Sequence, residues 1–160
     1  MTVETPSRHA AGRKPGWANE LSDMMDAYSQ AGGDPEALKL PEVATLVVSA
    51  SEVLVAHEIP GIRFHAEPVE NGVKARIEVE PGARLEHPVH LCFGVVPEEG
   101  VQKIIADYEI GEGADVKFLA HCSFPNAVKV QHLMDARIHV GKNASLTYTC
   151  LLYTSPSPRD

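Results

Sequence analysis

Long apolar runs are missing from this chain. No stretch approaches the roughly 18 residues needed to cross a bilayer. Residues 1–16 hold no apolar core of the kind a secretion signal needs. Together these absences point to the cytoplasm. Cysteine is scarce too: three residues in 160 do not make a disulfide framework. Positive charge is also in deficit, with 14 Lys and Arg against 22 Asp and Glu. The resulting net charge of -8 excludes wholesale nucleic-acid binding. No CxxC pair, HExxH helix, phosphate-cradling glycine loop or serine-protease-like triad is present, so the common metal-hydrolase, nucleotide-binding and acyl-transfer signatures are absent.

What is present is a repeat. Ile77-Glu-Val-Glu-Pro-Gly-Ala83-Arg-Leu85, Tyr108-Glu-Ile-Gly-Glu-Gly-Ala114-Asp-Val116 and Ile138-His-Val-Gly-Lys-Asn-Ala144-Ser-Leu146 share one pattern, their alanines 31 and then 30 residues apart. Gly82, Gly113 or Asn143 precedes each alanine, and these residue types best tolerate a left-handed backbone. Alternating apolar residues flank each bend, so each unit predicts strand, tight turn, strand. A fixed period of this length predicts stacked units that bury their apolar faces on one another. With 44% hydrophobic residues in 160, one domain with a real core is expected.

The chain divides by composition. Residues 1–16 mix Thr, Ser, Arg, Lys, Pro and Gly and predict a disordered tail. Residues 17–40 predict a helical region. Trp17, Leu21, Met24 and Tyr28 fall on one helical face, and Gly32-Gly33 ends it. Asp34-Pro35 then opens a second short helix to about Lys39. Residues 41–149 predict a β core. Val43–Val48 and Glu52–Ala56 read as strands, with helix as a competitor over 41–56 because the apolar runs are short. Ile59-Pro-Gly61 and Glu70-Asn-Gly72 read as turns around a strand beginning at Ile62.

Residues 150–160, Cys-Leu-Leu-Tyr-Thr-Ser-Pro-Ser-Pro-Arg-Asp, break the pattern. They match the translation of an adaptor used in transposase-based sequencing libraries. On this reading Thr149 is the last genuine residue, the chain is the N-terminal part of a longer protein, and Cys150 is not a ligand. The strand from Ser145 to Thr149 is then expected to be poorly anchored, and the chain to self-associate through an open strand edge.

The residues able to carry chemistry cluster in the repeats. Five of eight histidines, with Cys92 and Cys122, lie between His87 and His139. Thiolate and imidazole together suit zinc, iron or an iron–sulfur cluster. His90 and His121 each follow a repeat alanine by seven residues, which predicts one column if the units stack in register. Cys92 and Cys122, 30 residues apart, fall near one column with a slip of one, and such a slip would set them on opposite faces. Cys92, between Leu91 and Phe93, reads as a packed core thiol. Cys122 reads equally as core or as reactive. His87 and His90 flank Pro88 and read as solvated. Two alternatives stay open. One is a β-fold protein holding a single metal through His87, His90 and His121; the other is a structural β-solenoid with every Cys and His inert.

From Val79 to Tyr148 the sequence resembles the SufB/SufD family of iron–sulfur cluster assembly proteins. Carrying the resemblance are Pro88-Val-His-Leu-Cys92-Phe-Gly94, Ala120-His-Cys122-Ser-Phe-Pro125-Asn-Ala127, Gln131-His132 and Val140-Gly-Lys-Asn-Ala144-Ser-Leu-Thr-Tyr148. The short N-terminal region brings it nearer a short SufD-like member. The resemblance implies a mainly β fold, a right-handed parallel β-helix preceded by a short α-helical N-terminal region. It implies a scaffold rather than an enzyme, paired with a SufB/SufD paralogue or itself and with a SufC-type ATPase, on which iron–sulfur clusters are built transiently. Cys122, Pro125 and His132 match a family pattern in which the cysteine handles sulfur inside the β-helix. Cys122 takes that role here, with His132 more weakly. His121 or His132 is expected to supply a cation beside the thiol, and sulfur is expected to pass between thiols on neighbouring coils, Cys92 among them. The family's interface cysteine and histidine, and its ATPase-contacting helices, would lie beyond Thr149.

Overall fold

The computed structural model describes residues 17–154; the expected N-terminal tail lies outside the described residues. Helix α1 (Trp17–Gln30) leads through a single 3₁₀ turn at Ala37–Lys39 into nine strands. These are β1 (Thr45–Ser49), β2 (Glu52–His57), β3 (Ile62–Val69), β4 (Gly72–Val79), β5 (Val89–Gly94), β6 (Glu99–Ile110), β7 (Asp115–Phe124), β8 (Lys129–Val140) and β9 (Ser145–Thr154). One sheet runs β2-β1-β5-β7-β9 and the other β3-β4-β6-β8. Strand wins over helix across 41–56, because Val43 to Ser49 is buried continuously and β-branched residues suit a strand covered on both faces. The second helix shrinks to one 3₁₀ turn, in which the Glu36 N–H donates to Asp34 Oδ1 at 3.0 Å.

The three bends stack. Gly82 and Gly113 adopt φ of 74° and 71°, and Asn143 adopts 58°. The Gly82 N–H donates to Glu112 O at 2.8 Å and the Gly113 N–H to Lys142 O at 2.9 Å, so each bend sits directly on the next. The glycine that opens each later bend is required by this contact. A Cβ on Gly111 would stand 2.4 Å from Pro81 N, and one on Gly141 2.7 Å from Glu112 N. On either side of a bend the chain changes sheet. As a result β4, β6 and β8 pair in parallel in one sheet, and β5, β7 and β9 in the other.

The architecture is therefore mainly β, with two mixed sheets in place of the expected uniform parallel β-helix. Each sheet begins with an antiparallel pair, β1 with β2 and β3 with β4. The cause is local. Ala50-Ser51 and Glu70-Asn71 are two-residue connections with φ of 52° at Ala50 and 60° at Asn71, and a connection that short makes a hairpin. Strand β9 is hydrogen-bonded to β7 along its whole length, from Ser145 to Thr154. The end expected to be loose at Ser145–Thr149 is thus tied on one side, and the strand runs into the segment the sequence reading sets aside.

The facing sheets enclose one core. Val73, Ala75, Ile77, Ile104, Ala106 and Tyr108 of one sheet meet Leu91, Phe93, Phe118, Ala120, Cys122 and Phe124 of the other. A second cluster lies on the far side of the β5–β7 sheet, where Leu21, Met24 and Tyr28 of α1 cover Val47, Val55 and Cys92. Met24 is core, as its helical face predicts.

Candidate functional site

Register decides what each thiol can meet. Between β5 and β7 the pairs are Val89 with Phe118, Cys92 with His121 and Phe93 with Cys122. Cys92 and Cys122 are one step out of register and face opposite sides of the sheet. Cys122 points into the space between the sheets, whereas Cys92 lies under α1. The expected column of His90 and His121 does not form, since His90 stands opposite Leu119. The strand offset explains this. It is 31 at the Arg84–Asp115 bridge and 29 at Val89–Phe118, so the Leu85–Pro88 link carries two residues more than its counterpart.

His90 and His121 share the face covered by α1. His90 is buried, not solvated, and its Nδ1 lies 2.9 Å from Tyr28 Oη. His121 is 2% exposed and meets the Tyr28 ring edge-on with centroids 4.3 Å apart, yet neither ring nitrogen has a hydrogen-bond partner. Burial, reinforced by His90, lowers its pKa to about 4. Burial pushes the Cys92 thiol up to about 12. This cluster is held neutral. His121 cannot serve Cys122 as a cation, because it projects from the other side of β7. Among the described residues no group of three or more His, Cys, Asp and Glu is placed to hold a metal ion, so His87, His90 and His121 do not converge on one. His87 sits half-buried in the link before β5, and His139 is exposed on β8.

The inward site is different. Cys122 Sγ lies 3.8 Å from His132 Nε2. Strand β7 carries the thiol and β8 the imidazole, so opposite sheets supply the pair. His132 packs its ring on Phe124 at 5.2 Å, and its Nδ1 lies 3.0 Å from Gln102 Oε1. Gln102 and His132 are register partners on β6 and β8. Burial raises the Cys122 pKa to about 12, with Cys150 adding to the shift, and burial lowers that of His132. The resting pair is therefore neutral thiol and neutral imidazole, where a cation beside the sulfur had been expected. Cys150 Sγ, on β9, lies 4.0 Å from Cys122 Sγ, although the sequence pattern predicts that Cys150 is not a ligand.

Among these residues, Gln102 is one the sequence reading passed over. The signal was available. Gln102, Ile104, Ala106, Tyr108 and Ile110 alternate along β6, which sets a glutamine at a core position 30 residues before His132.

Among curated proteins the chain is 36% identical over 129 residues to an iron–sulfur cluster assembly SufBD family protein of Pyrococcus horikoshii. It is 28% identical over 129 residues to an iron–sulfur cluster assembly SufBD family protein of Methanocaldococcus jannaschii. Both matches support the SufBD family. Each spans 81% of this chain but only 39% and 41% of the respective SufBD relative, so the chain covers well under half the length of either. No protein-family model matches the chain, and no solved structure matches it. The SufBD matches do not divide SufB-like from SufD-like.

Proposed function

We propose that this chain is the N-terminal part of a SufBD scaffold for iron–sulfur cluster assembly, short and SufD-like, and that Cys122 is its sulfur-handling thiol. The observation that carries the reading is the Cys122–His132 contact between the sheets, in a chain whose curated relatives are named for cluster assembly. An enclosed thiol with an imidazole at its sulfur suits sulfur transfer. His132 Nε2 takes the thiol proton, the Cys122 thiolate attacks the outer sulfur of a persulfide donor, and the donor's thiolate leaves with that proton. The product is a Cys122 persulfide, and the cluster is cargo assembled from such sulfur.

In this proposal the scaffold is not itself an enzyme. A SufC-type ATPase supplies hydrolysis, and a SufB/SufD paralogue or a second copy completes the assembly. The alternation of β4 to β9 between two sheets, with parallel pairing inside each, supports a β-helical coil after the opening hairpins. In this proposal the chain works in the cytoplasm; no helix among the described residues is long and apolar enough to cross a membrane.

The test is Cys122→Ser in the longer protein, purified with its ATPase and paralogue. The expected result is a severalfold loss of iron and acid-labile sulfide from the complex. Unchanged iron and sulfide would remove Cys122 from the mechanism.

A further inference from the structure

We infer that Gln102 is a positioning residue that fixes the tautomer of His132, leaving Nε2 as the proton acceptor that faces Cys122; the consequence for sulfur chemistry rests on the function proposed above. Gln102 is fully buried at 0% exposure. Its amide nitrogen donates to Ala50 O at 3.0 Å and to Gly94 O at 2.9 Å. An amide nitrogen has two hydrogens, and these two carbonyls use both. Turning the amide over would set its oxygen against two carbonyl oxygens with no hydrogen between them, a buried arrangement that is strongly disfavoured.

The amide oxygen is therefore pinned toward β8, 3.0 Å from His132 Nδ1. An amide oxygen only accepts, so Nδ1 must carry a hydrogen. A neutral imidazole has one N–H, which leaves Nε2 with a free lone pair, and Nε2 is the atom 3.8 Å from Cys122 Sγ. Without the glutamine, the Nε2–H form that prevails in water would aim a hydrogen at the sulfur. When the thiol ionises, the S–H bond breaks and an Nε2–H bond forms. The Nδ1–H then donates to Gln102 Oε1 as one arm of an imidazolium, and the amide dipole stabilises the new charge.

The device also joins the sheets. Ala50 lies in the turn between β1 and β2 and Gly94 ends β5, and the Ala50 N–H donates to the same Gly94 carbonyl at 2.8 Å. Gln102 stands on the other sheet, so the direction of its amide is set by backbone it does not belong to.

Long-range proton–nitrogen spectra of the ¹⁵N-histidine-labelled chain test this. The expected wild-type His132 has a protonated Nδ1 and an unprotonated Nε2. Gln102→Leu is expected to move His132 toward Nε2–H and to slow iodoacetamide alkylation of the Cys122 peptide about tenfold or more. Gln102→Met also removes the amide but keeps the unbranched length of the side chain, and is expected to show the same move toward Nε2–H. If Gln102→Leu does not fold, the wild-type spectrum and Gln102→Met decide. Nε2–H in wild-type His132, or a tautomer unmoved by Gln102→Leu, overturns the inference. Cluster content in Cys122→Ser is a separate readout. Unchanged content with the expected tautomer ends only the sulfur role, whereas lost content with Nε2–H ends only the role of Gln102.

Discussion

Cys92 and Cys122 stand on neighbouring strands one register step apart, and so on opposite faces of one sheet. The sheet backbone separates the two thiols, and their Cα–Cβ bonds diverge. Sulfur cannot pass directly between them as it could between thiols in one column. Oxidation of the chain with diamide is expected to give no Cys92–Cys122 disulfide. Peptide mapping checks this, and a mapped bridge between the two would show that the register is wrong.

His121 makes stability depend on pH. Its folded pKa lies near 4, below the ordinary value of 6.5, because burial disfavours the charged ring. Between those values the unfolded chain binds the proton and the folded chain does not. Its contribution is therefore fully present above pH 6.5 and is lost as pH falls toward 4. We expect urea stability to drop by roughly 2–3 kcal/mol from this group over that range. His121→Phe also removes two unpartnered buried nitrogens. It is expected to raise stability at pH 7 by about 1 kcal/mol and to flatten the acid limb of the profile.

The stacked bends separate two kinds of glycine. Gly82 has open space around a Cβ but a φ of 74°, so Gly82→Ala is expected to cost about 1–2 kcal/mol through backbone conformation. Gly82→Asn is expected to cost less, because Asn143 adopts the same conformation in the third bend. Gly111→Ala is expected to cost more than either, about 3 kcal/mol, because the added carbon meets Pro81 N. Thermal melts of the three variants give the order directly.

The inward row of β8 continues past the enclosed core. Met134, Ile138 and Val140 are 38%, 47% and 44% exposed where their counterparts on β6 are buried. The chain is expected to self-associate with rising concentration. Ile138→Lys is expected to shift its sedimentation toward monomer. A monomer at every concentration would show that this face stays open in water.

Much of this was legible in the residues. The period of the Gly-Ala and Asn-Ala bends placed the turns, and apolar alternation placed β6 and β7, because each bend repeats the same backbone requirement. The opening hairpins escaped, although Glu70-Asn-Gly72 announced one. A two-residue turn reverses the pairing within a sheet, whereas the repeat bends pass the chain to the other sheet. The two extra residues of Leu85–Pro88 undid the His90–His121 column, since equal spacing from an alanine fixes register only where both paths are strand. The Cys122–His132 pair was suggested by resemblance. Its partner Gln102 holds a core position in the apolar alternation of β6, and what a glutamine does there shows only once its opposite number, His132, is known.

Whether Cys122 receives sulfur is most directly measured by peptide mass mapping of the native chain after incubation with a persulfide donor. The added mass of one sulfur atom is expected on the peptide containing Cys122, and to be absent there in Cys122→Ser. Sulfur found only on the Cys92 or Cys150 peptide, or on none, would contradict the account.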